Sequence, residues 1–245
     1  METQWSDRQI SEEECFQTDY YSYFEQPENA TRYTPSVYFL DEVFKQRPFS
    51  LLDLGCGNGA LLKYLPARCD YLGIDHSEYA IKYCLDVYPK QKFVATNLFD
   101  FLPKLVADDK KFDVVMLSGM ILYAVDKETQ EIKDEQEIIQ VCLDKILNKN
   151  GYLVIIVSFD YSAHPSRNLF VRAESLQKLV REKLEIAKGK IVYENMSLQL
   201  GLEKKIREQK VRPEWFVPDS STDDSNKYAG TYMASWTFIA TPSSG

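Results

Sequence analysis

Apolar residues along this chain form short continuous runs that alternate with segments in which they recur every three or four positions. Continuous runs bounded by glycine, asparagine or charged residues are typical of strands buried on both faces of a sheet. The predicted strands cover residues 49–54, 71–74, 92–95, 112–117, 152–159, 190–200 and 232–241. A seven-stranded sheet is therefore expected.

Helical spacing fills most of the gaps between these strands. The pair Thr34-Pro35 predicts a helix start, with Thr34 as the N-cap and the helix reaching about Gln46. Ser77 is predicted to cap a second helix whose apolar positions follow a period of about four. Further helices are predicted over residues 60–65, 138–147 and 176–184.

Strands that alternate with helices predict a Rossmann-like α/β fold, with a mostly parallel sheet and helices on both faces. We expect one domain over residues 34–245, with substrate-side insertions at 158–172 and 200–230. Residues 1–33 are interpreted as an acidic, aromatic extension that is a candidate lid. In such folds the ligand lies beyond the carboxyl ends of the strands, so functional residues are expected directly after each strand.

Composition narrows the classes of function. The 245 residues include 29 Lys and Arg against 37 Asp and Glu, for a formal net charge of −8, which argues against a nucleic-acid-coating surface. No apolar run is long enough for a membrane span, and the amino terminus does not resemble a secretory leader. We therefore expect a cytoplasmic protein without nucleic-acid or membrane partners, whose oligomeric state the sequence does not indicate.

The cysteines and histidines argue against a metal centre. Five cysteines are scattered without a CxxC pair, and the chain has only two histidines, His76 and His164. A Cys/His metal cluster is difficult to build from this set, so no metal is predicted and the cysteines are interpreted as buried free thiols.

A glycine-rich loop follows the first strand, at Asp53 to Gly59. Its spacing also fits a dinucleotide fingerprint, and Asp75 lies where a ribose-binding acid is expected. A pyrophosphate at this turn would be repelled by the Asp53 carboxylate, whereas a ligand with an ammonium and a sulfonium group would be favoured. Charge therefore favours S-adenosylmethionine over a nicotinamide dinucleotide.

Four segments, the first of which contains this loop, support the interpretation, as does the tail of the chain. Residues 51–59 (LLDLGCGNG), 71–77 (YLGIDHS), 112–118 (FDVVMLS) and 147–156 (LNKNGYLVII), with the tail SWTFIATP, occur in the order of the class I motifs. With these motifs the chain resembles the class I S-adenosylmethionine-dependent methyltransferases, in particular those that act on small molecules. The resemblance implies that the last strand runs antiparallel and that S-adenosyl-L-methionine is the cofactor.

The resemblance assigns roles around the methionine and ribose parts of the cofactor. It implies that the backbone of Gly55, Cys56, Gly57 and Gly59 approaches the cofactor, and that Asp53 lies near its amino group. The alternative for the glycines is tight-turn packing, and both can hold together.

Roles at the ribose, the adenine and the sulfonium follow in the same way. Asp75 is expected to accept both ribose hydroxyls, with a helix cap as the alternative, and His76 is a candidate for the adenine edge or a structural residue. The family often has an acid after strand three, where this chain has Asn97-Leu98, so Asn97 is the expected adenine acceptor. Ser118 is expected beneath the sulfonium.

The acceptor half of the site is defined more weakly. Tyr123 after strand four and His164 after strand five are the catalytic candidates, His164 as a general base. Candidate substrate-binding residues are Tyr20, Tyr21, Tyr161 and Arg167. Each of these has a purely structural alternative.

The predicted activity is methyl transfer to an oxygen or nitrogen of a small metabolite. Alternatives are a protein or RNA methyltransferase and a cofactor-binding, non-catalytic partner of the same fold. A nicotinamide-dependent dehydrogenase is disfavoured by Asp53 and by the lack of a downstream catalytic constellation.

Overall fold

The computed structural model of the chain describes residues 32–119, 130–161, 169–198 and 232–243. Seven strands form one sheet in the order β3-β2-β1-β4-β5-β7-β6. The strands are β1 Phe49–Leu54, β2 Cys69–Asp75, β3 Lys92–Ala95, β4 Phe112–Ser118, β5 Leu147–Tyr161, β6 Gly189–Leu198 and β7 Tyr232–Pro242. All seven predicted strands are present.

The strand directions match the predicted architecture. Strands β1 to β5 pair in parallel with their neighbours, and β7 lies antiparallel between β5 and β6. The order steps outward from β1 in both directions, which places the topological switch point between β1 and β4. The predicted fold class, including the antiparallel last strand, is confirmed.

Helices cover both faces of the sheet. They are α1 Thr34–Phe44, α2 Glu78–Val87, α3 Leu98–Ala107, α4 Gln130–Val141 and α5 Leu169–Ile186, with a 3-10 turn at Ala60–Lys63 and a π-helical turn at Cys142–Ile146. Side chains from α1, α2 and the 3-10 turn pack on one face, and those from α3, the π-helical turn and α5 pack on the other. In the described residues no helix combines the length and apolarity that crossing a membrane requires.

The start of α1 differs from the prediction. Tyr33, rather than Thr34, is the N-cap, and no side chain caps the helix. The Ser36 hydroxyl donates to the Tyr33 carbonyl (2.8 Å), which ties the first turn to the residue before it. The helix ends at Phe44, two residues earlier than predicted, and Lys45 adopts a positive φ of 48°.

Two other elements differ from their predictions. Residues 60–65 form only a short 3-10 turn, and helix α3 was not predicted at all. Its start has a recognisable signal, because the Asn97 side chain accepts a hydrogen bond from the Phe99 N–H (2.9 Å) and Asp100 lies in the first turn. Pro103 within the helix hides that signal, since proline normally argues against a helix interior.

Strand β5 continues past the end of its parallel neighbour. Pairing with β4 stops at Ser118 and Ile156, whereas β5 runs on to Tyr161 while paired with β7. Part of the predicted insertion at 158–172 is therefore strand, and α5 begins at Leu169. The extension at 1–33, except for its last two residues, and the insertion at 200–230 lie outside the described residues.

Candidate cofactor-binding site

The glycine loop after β1 is built from left-handed backbone. Gly55, Gly57 and Gly59 have φ values of 74°, 53° and 71°, a region that side chains disfavour. An added Cβ at Gly57 would have no atom within 4 Å, so this glycine borders open space. An added Cβ at Gly59 would lie 3.2 Å from the Cys84 Sγ. Cofactor approach and tight-turn packing were the two predicted reasons for glycine in this loop. Gly57 leaves room for a ligand, and Gly59 permits close packing against α2.

Strand β2 anchors this loop through its backbone and through Asp75. The Gly55 and Cys56 N–H groups both donate to the Ile74 carbonyl, at 2.8 and 2.9 Å. The Asp75 Oδ2 accepts from the Gly57 N–H (2.9 Å), and its Oδ1 accepts from the Ser77 N–H (3.0 Å).

The carboxylate of Asp75 keeps capacity for a ligand. Two ionised oxygens offer about four acceptor positions, and the two backbone donors use only two of them. The side chain is 11% exposed, so it faces a restricted opening. Ser77 itself caps α2 by accepting from the Ala80 N–H, which means that Asp75 supports the helix start without being its cap.

Asp53 lies in a different environment from Asp75. Its side chain is 2% exposed, and its Oδ2 accepts a hydrogen bond from the Tyr71 hydroxyl (2.8 Å). Burial raises the pKa of Asp53 to about 7, while the Tyr71 hydrogen bond and the Arg32 charge oppose that rise. The structure therefore buries Asp53 beneath the loop.

Two residues before α1 were missed as site candidates. Tyr33 is buried, and Arg32 donates a hydrogen bond to its hydroxyl. Burial raises the pKa of Tyr33, with Arg32 lowering it, Asp53 raising it and Ser118 lowering it to smaller degrees. Tyr33 therefore lies near Asp53 and Ser118, and Arg32 lies near Tyr33 and Asp53. No motif marks them in the sequence, where they fall at the boundary drawn between the extension and the domain.

Gly73 in the middle of β2 was also missed. An added Cβ there would lie 2.8 Å from the Phe93 ring, 2.9 Å from the Cys56 Sγ and 2.9 Å from the Tyr71 hydroxyl. The missing side chain thus makes room both for the Tyr71 hydroxyl that contacts Asp53 and for the Cys56 thiol of the loop. Only the packing reveals this requirement.

The carboxyl end of β4 provides a second open position. Gly119 has a φ of 76°, and an added Cβ would meet no atom within 4 Å. Its N–H donates to the Ile156 carbonyl (3.0 Å), which fixes the turn directly after Ser118. Gly57 and Gly119 therefore both border open space, at the ends of the two strands that flank the switch point.

The adenine candidates are less constrained. His76 is 71% exposed, with its Nδ1 3.4 Å from the Asp75 Oδ1. Asn97 uses its side-chain oxygen to cap α3, and Leu98 is the first residue of that helix. A carbonyl oxygen has two lone pairs, so Asn97 retains one for an adenine amino group, which stays a prediction.

The acceptor-side candidates are not brought together by the described residues. Tyr20, Tyr21, Tyr123, His164 and Arg167 lie outside those residues. Tyr161 ends β5, where its backbone pairs with Tyr232, and its side chain is not described. These assignments stay predictions. Within the described ranges, no group of three or more His, Cys, Asp or Glu side chains is placed to hold a metal ion.

Comparison with known proteins settles the family. A family model described as a methyltransferase domain matches residues 46–215, which is more than half of the chain. The chain belongs to the S-adenosylmethionine-dependent methyltransferase family. The predicted resemblance, the enzyme class and the cofactor are confirmed at this level.

Individual relatives are more distant. The chain is 29% identical to the protein-lysine N-methyltransferase efm4 of Schizosaccharomyces pombe, over 46% of this chain and 53% of that protein. It therefore spans about half the length of that curated relative.

Solved structures share the fold. The S-adenosylmethionine-dependent methyltransferase from Clostridium acetobutylicum is 10% identical with a TM-score of 0.55, covering 94% of this chain and all of that one. The N-methyltransferase NodS from Bradyrhizobium japonicum, solved with S-adenosyl-L-homocysteine, is 14% identical with a TM-score of 0.50, covering 88% of each chain. At these identities the likeness concerns the fold alone.

Proposed function

We propose that this protein transfers a methyl group from S-adenosylmethionine to an oxygen or nitrogen atom of a small metabolite. The observation that carries the cofactor half of this proposal is the Asp75 carboxylate. It holds the Gly57 N–H at 2.9 Å and still has acceptor positions beside the open space at that glycine. Those positions suit a pair of ribose hydroxyls.

The residues present fit the cofactor in charge and leave open space beside the glycine loop. Open space at Gly57 and Gly119 allows the ligand to approach the backbone on both sides of the switch point. Asp53 offers a negative charge beneath the loop, and its burial strengthens the attraction to a cation in a medium of low dielectric. Arg32, whose charge acts on Asp53, offers a cation for the methionine carboxylate.

S-adenosylmethionine supplies a methyl group made electrophilic by a neighbouring sulfonium. The task of the protein is then to hold and align, since displacement at that carbon needs the nucleophile opposite the leaving group. Asp75 and the glycine loop fix the ribose end, while Ser118 and Gly119 define the floor next to it. A general base is needed only for an acceptor that arrives protonated, and His164 or Tyr123 is proposed for that role.

Three observations bear on the acceptor. The net charge of −8 disfavours nucleic acid, and the small-molecule resemblance of the motifs supports a metabolite. The similarity to efm4 favours a second candidate, the amino group of a lysine in a protein. Both acceptors are nucleophiles of the same kind, so the cofactor half of the site serves either.

A transfer assay distinguishes the two acceptors. The protein is incubated with S-adenosylmethionine labelled in its methyl group and with a cell extract separated into small molecules and dialysed protein. We expect label in the small-molecule fraction, abolished in Asp75→Ala. Label only in acid-precipitable protein would overturn the metabolite proposal in favour of the lysine candidate, and no transfer to either would contradict both.

The amino-acid composition supports the proposed cellular location. The acidic chain and the free thiols of Cys56, Cys69, Cys84 and Cys142 support a cytoplasmic location. A small-molecule acceptor is the proposed partner, without nucleic acid or membrane.

A further inference from the structure

The two peptide groups that flank the Gly57 Cα are each held by a side chain from an element outside the loop. The Gly57 N–H donates to the Asp75 Oδ2 at the end of β2, and the Gly57 carbonyl oxygen lies 3.2 Å from the Cys84 Sγ on α2. Because Gly57 borders the open space at the loop, the orientation of these two peptides decides which backbone atoms face a ligand. The clamp therefore acts on the surface that receives the cofactor.

We infer that Cys84 is a positioning residue for the cofactor, acting through the Gly57 carbonyl. This inference rests on the proposed use of the glycine loop. Cys84 is completely buried on the inner face of α2, and its thiol donates toward the Gly57 carbonyl oxygen at 3.2 Å, the shorter of the two thiol contacts that this oxygen receives. A thiol is a weak donor, but at this distance it still favours one orientation of the peptide between Gly57 and Asn58.

The neighbouring side chains give the thiol little freedom. An added Cβ at Gly59 would lie 3.2 Å from the Cys84 Sγ, and Cys56 forms a hydrogen bond with Cys84 that raises the Cys56 pKa. The Cys56 thiol also lies 3.8 Å from the Gly57 carbonyl. Both sulfurs therefore lie beneath one peptide of the loop, and the bond from α2 is the shorter of the two.

This geometry favours positioning over redox chemistry. A reactive thiol needs solvent access and a lowered pKa, whereas Cys56 is 8% exposed with a raised pKa and Cys84 is 0% exposed. The pair is better suited to shape the loop than to respond to an oxidant.

Three variants test the inference. Cys84→Ala removes the donor, Cys84→Ser keeps a donor of similar size, and Cys142→Ala is the matched control. Cys142 is also 0% exposed, but it belongs to the π-helical turn on the opposite face of the sheet. Binding of S-adenosylhomocysteine is measured by calorimetry, and hydrogen exchange of the Gly57 amide is followed without ligand.

We expect Cys84→Ala to weaken binding about threefold to fivefold and to speed exchange at Gly57 by a similar factor. Cys84→Ser should restore both, and Cys142→Ala should change neither although it also lowers the melting temperature. Equal effects of Cys84→Ala and Cys142→Ala, or no rescue by serine, would overturn the inference. Faster exchange in Cys84→Ala together with no ligand binding by the wild-type protein would contradict the proposed function and leave the clamp supported.

Discussion

Two carboxylates lie at opposite edges of the sheet, Asp113 at the amino end of β4 and Asp53 near the carboxyl end of the neighbouring strand β1. Their surroundings differ in a way that separates a structural role from a proposed ligand-binding role. Near the amino ends of β1 and β4, Asp113 accepts from the Ser50 N–H (2.8 Å), the Ser50 hydroxyl (2.9 Å) and the Asn148 side-chain amide (2.8 Å). Near the carboxyl end of β1, Asp53 accepts from the Tyr71 hydroxyl. Asp113 is half-buried with three donors, whereas Asp53 is almost fully buried, has a raised pKa and lies beneath the glycine loop that is proposed to face the cofactor.

The two carboxylates differ in how many hydrogen-bond donors compensate their charge. A carboxylate that accepts several hydrogen bonds stabilises the fold, because its charge is compensated locally. A buried carboxylate with fewer donors costs stability when ionised, unless a cation arrives. The carboxyl edge of the sheet therefore holds a charge that a cationic ligand would compensate, and the amino edge does not.

The largest expected effect is that of Asp53→Asn on the free energy of unfolding, and it tests whether the Asp53 charge is uncompensated. Asparagine keeps an acceptor for Tyr71 and removes the charge. Since the pKa of Asp53 is raised from 3.8 to about 7, its contribution to stability is fully present below pH 3.8 and is lost as pH rises through 7. At pH 9 the variant should exceed the wild type in free energy of unfolding by up to roughly 4 kcal/mol, and the difference should vanish toward pH 4. Urea denaturation across this range measures it.

The same substitution should weaken ligand binding although it stabilises the fold. Wild-type affinity for S-adenosylmethionine is expected to rise as pH increases through about 7, because the ionised Asp53 attracts the cationic ligand. Asp53→Asn should show a flat profile. Equal stability of the two proteins at every pH would show that Asp53 is not an uncompensated charge.

The next largest effect is expected from Asp75→Ala, which removes the acceptor of the Gly57 N–H and the proposed ribose contacts. Affinity for S-adenosylmethionine should fall about 100-fold, equivalent to about 2.7 kcal/mol. Calorimetry at pH 8 measures it, with Asp70→Ala at the opposite end of β2 as the control. Asp70 is 69% exposed and pairs with Lys92 on the surface, so its removal should change affinity by less than about twofold. Undiminished binding by Asp75→Ala would contradict the ribose assignment.

The fold was largely predictable, because strands covered by helices on both faces of a sheet appear in the sequence as apolar runs. Apolar runs marked strands such as β1, β4 and β5, and Ser77 marked the start of α2. Helix α3 was not predicted because Pro103 argues against a helix interior, although Asn97 caps the helix. Local signals therefore predict an element well until one residue contradicts its neighbours.

The site was predictable only where it follows the chain order. The glycine loop follows β1 directly and Asp75 ends β2, so their spacing and their place in the strand order identified them. Gly73, Cys84 and Arg32 act through contacts across the sheet or from the segment before α1, and no spacing rule connects them to the loop. Such residues emerge only from packing.

The smallest of the three effects is expected from Asp113→Ala and tests the opposite end of the comparison. Loss of the acceptor leaves the Ser50 N–H and the Asn148 amide without their bonds to this carboxylate, which should lower the free energy of unfolding by about 2 kcal/mol. Affinity for S-adenosylmethionine should not change, because Ser50 lies about 10 Å along β1 from Asp53. Denaturant unfolding and calorimetry on the same preparation measure the two quantities. Weakened binding with unaltered stability would show that the amino edge also serves the ligand, and the division between the two ends would fail.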